Sequence, residues 1–267
     1  MKLSASIVTY NSNPDVTQAL ESIEHSDCFH NLKVYVIDNC STDNTVDFVK
    51  KRYPFVNVIE TTKNGGYGYG HNQVIEKLTS DIHFIINPDI RFGITTLRET
   101  ASFLLGRNDI AICTPEMRTS TGGYEFPPKQ QPKIRYIVAR FLRQFRFLQN
   151  WRDEYTMKGK VMNNNGNPFD ISFCSGAFMA IKTAYFKQVG GFDDRYFLYY
   201  EDADLTRKLL KLGRCVCIPT LSVIHDGKRD AYKSALLRKI MIASMLKYFC
   251  KWGFFSSCFE SLFSFSK

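Results

Sequence analysis

No stretch of this 267-residue chain approaches the ~18–20 consecutive apolar residues that a membrane-crossing helix needs, so none is expected. The eight cysteines include no Cys-x-x-Cys pair. With no export signal recognisable, they read as reduced thiols of a cytoplasmic protein. Residues 1–8 lead to polar Asn11 too soon for a signal peptide and read as a first strand. There is no Gly-Lys-Ser/Thr phosphate loop. The dinucleotide fingerprint fails as well, because from Gly66 its last glycine is replaced by His71. Internal repeats and low-complexity linkers are also missing. What is present is a composition of 44% hydrophobic and 23% charged residues, close to the globular average, which excludes disorder, collagen and simple coiled coil. The length suits one large α/β domain or two modest ones, and a chain of this size buries roughly 70–75% of its unfolded surface without staples.

The formal charge of +9 points to an anionic partner: nucleic acid, a phosphorylated substrate or an anionic membrane. Nucleic acid is not expected. The chain has no zinc-finger spacing and no aromatic ribonucleoprotein motif, and its basic residues concentrate after 129.

Apolar runs at 3–9, 33–37, 56–59, 82–86 and 110–113 predict strands. Helical spacing alternates with them: Val16, Ala19, Leu20 and Ile23, then Val46 and Val49, then 95–105. This alternation predicts a mostly parallel central sheet flanked by helices. Asn13-Pro14 places a cap residue ahead of a first helical proline. The spacing of Ile134, Ile137, Val138, Phe141, Leu142, Phe145 and Leu148, with five interleaved Lys or Arg, predicts one basic amphipathic helix over 133–148. Further on come a strand at 177–181, a helix from 183, a helix over 202–212 ended by Gly213, and strands at 215–218 and 222–225. A basic helix over 231–250 leads to a tail holding Trp252, Phe254, Phe255, Phe259, Phe263 and Phe265.

In an open α/β sheet, ligands bind at the carboxyl ends of the strands. Thr9-Tyr10-Asn11, Asp38-Asn39, the glycine loop from Asn64, Gly65 and Gly66 through Gly70 to Asn72, and Asn87-Pro88-Asp89 all fall there. Glycine lets backbone N–H groups approach a phosphate. Asp38 could accept the imino N–H of a pyrimidine, and Asp89 could hold a hard cation. Taken singly, an aspartate in such a place is more often a turn or cap residue. Glu201, Asp202 and Asp204 crowd a helix start, where the dipole favours acids. The sharper reading makes one of them a general base.

In this order the clusters resemble an inverting glycosyltransferase of family 2 with the GT-A fold, over about residues 4–226. The matching elements are Ser6-Ile7-Val8-Thr9-Tyr10-Asn11, Val36-Ile37-Asp38-Asn39, the glycine loop, Asn87-Pro88-Asp89, Ser175-Gly176-Ala177-Phe178, Gly191-Phe192-Asp193, Tyr200-Glu201-Asp202-Ala203-Asp204-Leu205 and His225. Within the family the set looks most like bacterial rhamnosyltransferases of O-antigen and cell-wall assembly. The resemblance implies a nucleotide-sugar donor, dTDP- or UDP-linked, held by Thr9, Tyr10, Asn11, Asp38, the glycine loop and Asn87. It implies Mg²⁺ or Mn²⁺ on Asp89 and His225, Asp202 as catalytic base, and Glu201 and Gly176 on the acceptor side. The family's metal-binding Asp-x-Asp keeps only its last carboxylate, because Asn87 stands at the first position. The implied acceptor is a lipid-linked saccharide. A UDP-hexose or UDP-N-acetylhexosamine donor is the near alternative, and a non-catalytic sugar-nucleotide-binding scaffold the alternative of another class.

The implied layout is a GT-A domain over 1–227, with a nucleotide-sugar half over 1–115 and an acceptor half over 116–227. Residues 228–267 form a C-terminal helical, aromatic-rich extension. Together with the basic helix at 133–148, that extension predicts peripheral docking on the inner face of an anionic cell membrane. If the membrane is not their partner, these aromatics form a homo-oligomer interface.

Overall fold

The computed structural model describes residues 1–123, 128–226 and 234–253. Its centre is β1 (Leu3–Thr9), which is buried along its whole length. Leu3, Ala5 and Ile7 feed one core and Val8 feeds another on the opposite face, as the two-residue period of a strand requires. β2 (Leu32–Asp38), β3 (Asn57–Glu60) and β4 (Ile82–Ile86) extend the sheet around it in parallel. β8 (Phe178–Lys182) runs antiparallel between β4 and β6 (Ile110–Arg118). β9 (Arg214–His225) pairs parallel with β6 and antiparallel with β5 (Ile90–Phe92) and β7 (Phe169–Asp170). Among the described residues the order is β3-β2-β1-β4-β8-β6-β9-β5, with β7 on β9.

One face carries α1 (Val16–Glu24), α2 (Thr45–Arg52) and α4 (Thr96–Leu105). The other carries α8 (Thr183–Gln188) and α9 (Glu201–Leu209), whose Phe186, Leu205 and Leu209 join Val8, Ile37 and Ile85 in the second core. The predicted central sheet and its flanking helices are therefore present, but the sheet is mixed, not mostly parallel: β8 runs antiparallel to β4 and β6, and β5 and β7 run antiparallel to β9, four of the eight pairings among the described residues. Pro14 lies in the turn ahead of α1, not at its first position. The strands expected at 215–218 and 222–225 are one strand, β9. A register shift opposite Pro115 and Glu116 absorbs the irregularity around Pro219. β6 runs five residues past its predicted end at Cys113, and β5 and β7 carry too few residues to show a period.

The single helix expected over 133–148 is not formed. α5 (Ile134–Phe141) stops where Leu142 leaves helical geometry at φ −96° and ψ 50°. Arg152 then donates to the Ala139 and Phe145 carbonyls, so a side chain satisfies groups that another turn would have used. α6 (Gln149–Tyr155) and α7 (Lys158–Asn163) follow. The last described helix, α10 (Ala235–Trp252), packs Tyr248 and Phe249 against Tyr196 and Ala203. Phe254, Phe255, Phe259, Phe263 and Phe265 lie outside the described residues, as do residues 228–233.

The polar face of β1 is unusual for a buried strand. Ser4 bonds His83 Nδ1 at 2.8 Å, and Ser6 bridges His83 Nε2 and His71 Nδ1 at 2.9 and 2.7 Å. Ser80 and Thr183 continue the chain of bonds towards the sheet's lower edge. Burial holds both imidazoles neutral, with His83 pushed down to about 3. The folded protein thus refuses protons that the unfolded chain takes up below about pH 6.5, so stability falls as pH drops through that window. His83 alone costs about 2.3 kcal/mol between pH 6.5 and 4.5. Thermal denaturation at pH 7 and 4.5 measures the loss, and His83→Gln should flatten the slope by about one proton. An unchanged slope in that variant contradicts the assignment.

Candidate functional site

The parallel register opposes Thr9 to Asp38 at the carboxyl ends of β1 and β2. Both are buried. The Thr9 hydroxyl donates to Asp38 Oδ1 at 2.9 Å, and Ser41 donates to the same carboxylate through its hydroxyl and its N–H. The carboxylate retains acceptor capacity beyond these three bonds. Asn11, at φ 50°, accepts the Thr42 N–H on its side-chain oxygen and donates its own N–H to Ser41. Tyr10 stands half-exposed beside them. The two strand ends therefore form one cross-braced cradle.

The glycine stretch is only partly a loop. Asn64, whose side chain caps the Gly66 N–H, and Gly65 lead into a turn. Gly66, at φ 95°, then starts the short helix α3 (Tyr67–Asn72). A Cβ on Gly66 would lie 2.1 Å from the Phe197 carbonyl oxygen, so no other residue fits. Asn39 fastens the turn by donating to the Gly66 carbonyl at 2.8 Å. Gly70 lets α3 lie against Val8, where a Cβ would meet a methyl at 2.7 Å. Asn72 points away from the strand ends. Its amide donates to the Phe192 carbonyl and to Asp194, and its oxygen accepts the Phe192 N–H, so it pins the loop ahead of α9.

Asn87 follows β4, its N–H bound to the Ala177 carbonyl. The β5–β9 register places Ile90 opposite His225, which brings Asp89 Oδ1 within 3.3 Å of His225 Nε2. A hard carboxylate and an imidazole converge here, at residues far apart in sequence. Among the described residues no third His, Cys, Asp or Glu completes a cluster. Two protein ligands, with the remaining positions filled by substrate phosphate and water, suit Mg²⁺ or Mn²⁺, so the residues present fit such an ion.

Across the cleft, Tyr199 and Tyr200 both adopt left-handed φ, 69° and 68°. Strain of this kind costs ~1–3 kcal/mol per residue and collects at functional sites. It turns the chain sharply into α9 and sets Glu201 and Asp202 at the helix start. Asp202 is half-buried and accepts the Gly176 N–H at 3.1 Å and the Ala203 N–H at 2.9 Å. Desolvation raises its pKa, while those two N–H groups and the Lys129 charge oppose the rise. Glu201 is buried, and its Oε2 has no hydrogen-bond partner among the described residues. Burial and the Asp202 charge drive its pKa well above the ordinary value. The environments thus differ: Glu201 is driven further towards its neutral form, and Asp202, with two N–H donors, is the carboxylate better able to ionise.

Sequence reasoning missed the residue that joins the two sides. The Tyr67 hydroxyl donates to the Gly176 carbonyl at 2.6 Å, while the Gly176 N–H donates to Asp202. Burial raises the Tyr67 pKa, and the nearby carboxylates of Asp202 and Asp89 add to the rise. Gly176 is closely packed, since a Cβ would sit 3.2 Å from the Tyr67 ring and 3.4 Å from Asp202 Cβ. Beyond it, Glu116, Lys129, Phe173 and Ser175 line a hollow on the Asp202 side. The whole arrangement offers a cradle at the strand ends, a cation position and a carboxylate base facing one cleft.

Residues 4–190 match the model of Glycosyl transferase family 2. The chain is 30% identical over 234 residues to N-acetylglucosaminyl-diphospho-decaprenol L-rhamnosyltransferase of Mycobacterium tuberculosis, spanning 82% of this chain and 74% of that protein. It is 23% identical over 239 residues to Rhamnosyltransferase WbbL of Escherichia coli, spanning 84% and 83%. Among solved structures, mannosyltransferase PcManGT from Pyrobaculum calidifontis, in complex with GDP-Man and Mn²⁺, shares the fold with a TM-score of 0.64. That likeness comes at 18% identity, over 92% of this chain and 63% of that one.

Proposed function

The chain belongs to glycosyl transferase family 2 and is a glycosyltransferase with the GT-A fold; on that premise we propose that it moves L-rhamnose, with inversion, from dTDP-rhamnose to a hydroxyl of a lipid-linked saccharide. The product belongs to O-antigen or a related surface polysaccharide, made at the inner face of the cell membrane. The observation that carries this reading is the carboxylate pair. Asp202, oriented by the Gly176 and Ala203 N–H groups, is an ionisable base beside a Glu201 driven further towards its neutral form. Inverting transfer is a single displacement in which the acceptor oxygen bonds the anomeric carbon as the carbon–phosphate-oxygen bond breaks. Asp202 takes the acceptor hydroxyl's proton. Thr9, Tyr10, Asn11 and Asp38 hold the base and ribose. Asn64, Gly65, Gly66 and Gly70 shape the wall along the donor sugar, and Asn87 borders it. Asp89 and His225 would hold Mg²⁺ or Mn²⁺, which when bound supplies positive charge for the departing diphosphate. The rhamnosyl choice and the lipid-linked acceptor are supported by the two rhamnosyltransferase relatives, one of which is named for a diphospho-decaprenol acceptor.

The test is transfer to an N-acetylglucosaminyl-diphospho-lipid from dTDP-rhamnose, UDP-glucose and UDP-N-acetylglucosamine in parallel. The expected result is product from dTDP-rhamnose, at least tenfold less after chelation of divalent cations, and a similar loss in Asp89→Ala that added Mn²⁺ does not restore. Product only from a UDP-sugar would transfer the reading to the alternative donor. Unchanged rates after chelation would show that protein cations stabilise the leaving group instead.

A further inference from the structure

The segments 128–152 and 234–253 hold seven and four Lys or Arg respectively, and neither contains an Asp or Glu. They are not separate arms. Ile134 and Ile137 of α5 join Tyr248 and Phe249 of α10 in one apolar cluster with Tyr196 and Ala203. Once that contact is made, a second set of apolar side chains is left facing water. Phe141 and Phe147 are 73% and 76% exposed, Phe145 lies against Phe147 with ring centroids 5.6 Å apart, and Val138 and Leu142 stand beside them. On α10, Ile242 and Leu246 are exposed along with Lys239, one helical turn apart from each other.

We propose that this face docks on an anionic lipid bilayer, with Phe141, Phe145 and Phe147 entering the headgroup–acyl boundary and Arg143, Arg146, Arg238 and Lys239 meeting lipid phosphates. The proposal rests on the lipid-linked acceptor of the preceding section and names the surface that meets the membrane carrying it. Charge decides among occupants. A second copy placing the same face against this one would oppose cations with cations. An anionic leaflet complements them, and exposed aromatics beside cations are the composition of an interfacial element. Arg140 at the end of α5 favours ionisation of Tyr155 and Tyr200 while burial and the Asp202 charge oppose it, so the two tyrosines are common neighbours of this helix end and of the base.

The experiment is co-sedimentation of the full chain with phosphatidylglycerol-containing and pure phosphatidylcholine vesicles, at low and high salt. Two variants accompany it: one with Phe141→Ser, Phe145→Ser and Phe147→Ser, the other with Arg143→Glu and Arg146→Glu. All five positions lie on the surface away from the catalytic groups, so transfer to a short-chain, water-soluble acceptor should proceed at the wild-type rate. Wild type should pellet with anionic vesicles only, and less at high salt. Each cation near such a surface contributes about fivefold, so the double charge reversal should weaken partitioning at least ~25-fold. The phenylalanine variant should lose binding at both salt concentrations. Wild type remaining in the supernatant at low salt overturns the proposal. So does wild-type pelleting by both variants, or a phenylalanine variant that shifts from dimer to monomer while still binding vesicles. Face-dependent vesicle binding with no transfer to the soluble acceptor would instead refute the acceptor reading and leave the docking face standing.

Discussion

Asp202→Asn should lower the transfer rate by ~10²–10⁴, the loss typical when a general base is removed. The substitution keeps the side chain's size and an oxygen for the Gly176 or Ala203 N–H, so α9 should still form. Donor binding should survive, which a ligand-induced rise in melting temperature measures. In the wild type the acid limb of the rate profile should lie above the range of an ordinary aspartate. Burial raises the Asp202 pKa, and the base works only when ionised, so activity falls as pH drops through that raised value. Near-wild-type turnover in the variant would remove Asp202 from the chemistry and make Glu201 the next candidate, since Asp204 is buried against Lys251 and Trp252. Glu201 is disfavoured by its own surroundings, which drive it towards its neutral form.

Lys251→Met should be among the most destabilising single changes in the molecule. Asp204 is completely buried in the first turn of α9. Its partners come from the end of α10: the Lys251 ammonium at 2.7 Å and the Trp252 indole N–H, also at 2.7 Å. Lys251 reaches Asp193 as well, and together with Arg195 it keeps that carboxyl far below the usual range. Removing one partner of a buried ion pair costs ~3–5 kcal/mol. The remaining indole bond places this case near 3 kcal/mol, a fall of roughly 6–12 °C in melting temperature for a chain of this size. A shift within about 1 °C would mean that water or another cation takes the place of the ammonium.

Neither Lys251 nor Trp252 could be read from the sequence as a partner of Asp204, because nothing in a one-dimensional pattern links positions 47 and 48 residues apart. The strands around β1 were legible because alternation and uninterrupted apolar runs report burial directly. The cradle at Thr9 and Asp38 was legible because it sits where those runs end. Asp89 and His225 could be named from a motif, but their approach depends on the β5–β9 register, and three-residue β5 left no trace of a period. The stretch after Gly66 read as a loop because glycine disfavours helix. Here the missing side chains at Gly68 and Gly70 are what allow α3 to press against Phe192 and Val8. The error at 133–148 is of the opposite kind. A faultless helical spacing was overridden by Arg152, whose bonds to two carbonyls no periodicity reveals.

The dependence of α9 on the end of α10 also sets an order in time. Synthesis proceeds from the amino terminus, and the segments of a chain fold as they emerge. Both halves of the cleft are made before the residues that neutralise Asp204. A nascent chain that has passed Leu209 but not yet delivered Lys251 has no cation against which to bury that carboxylate. Lys251 and Trp252 are thus the last of the described residues needed to complete the pairing beneath α9, many residues after the donor cradle has left the ribosome.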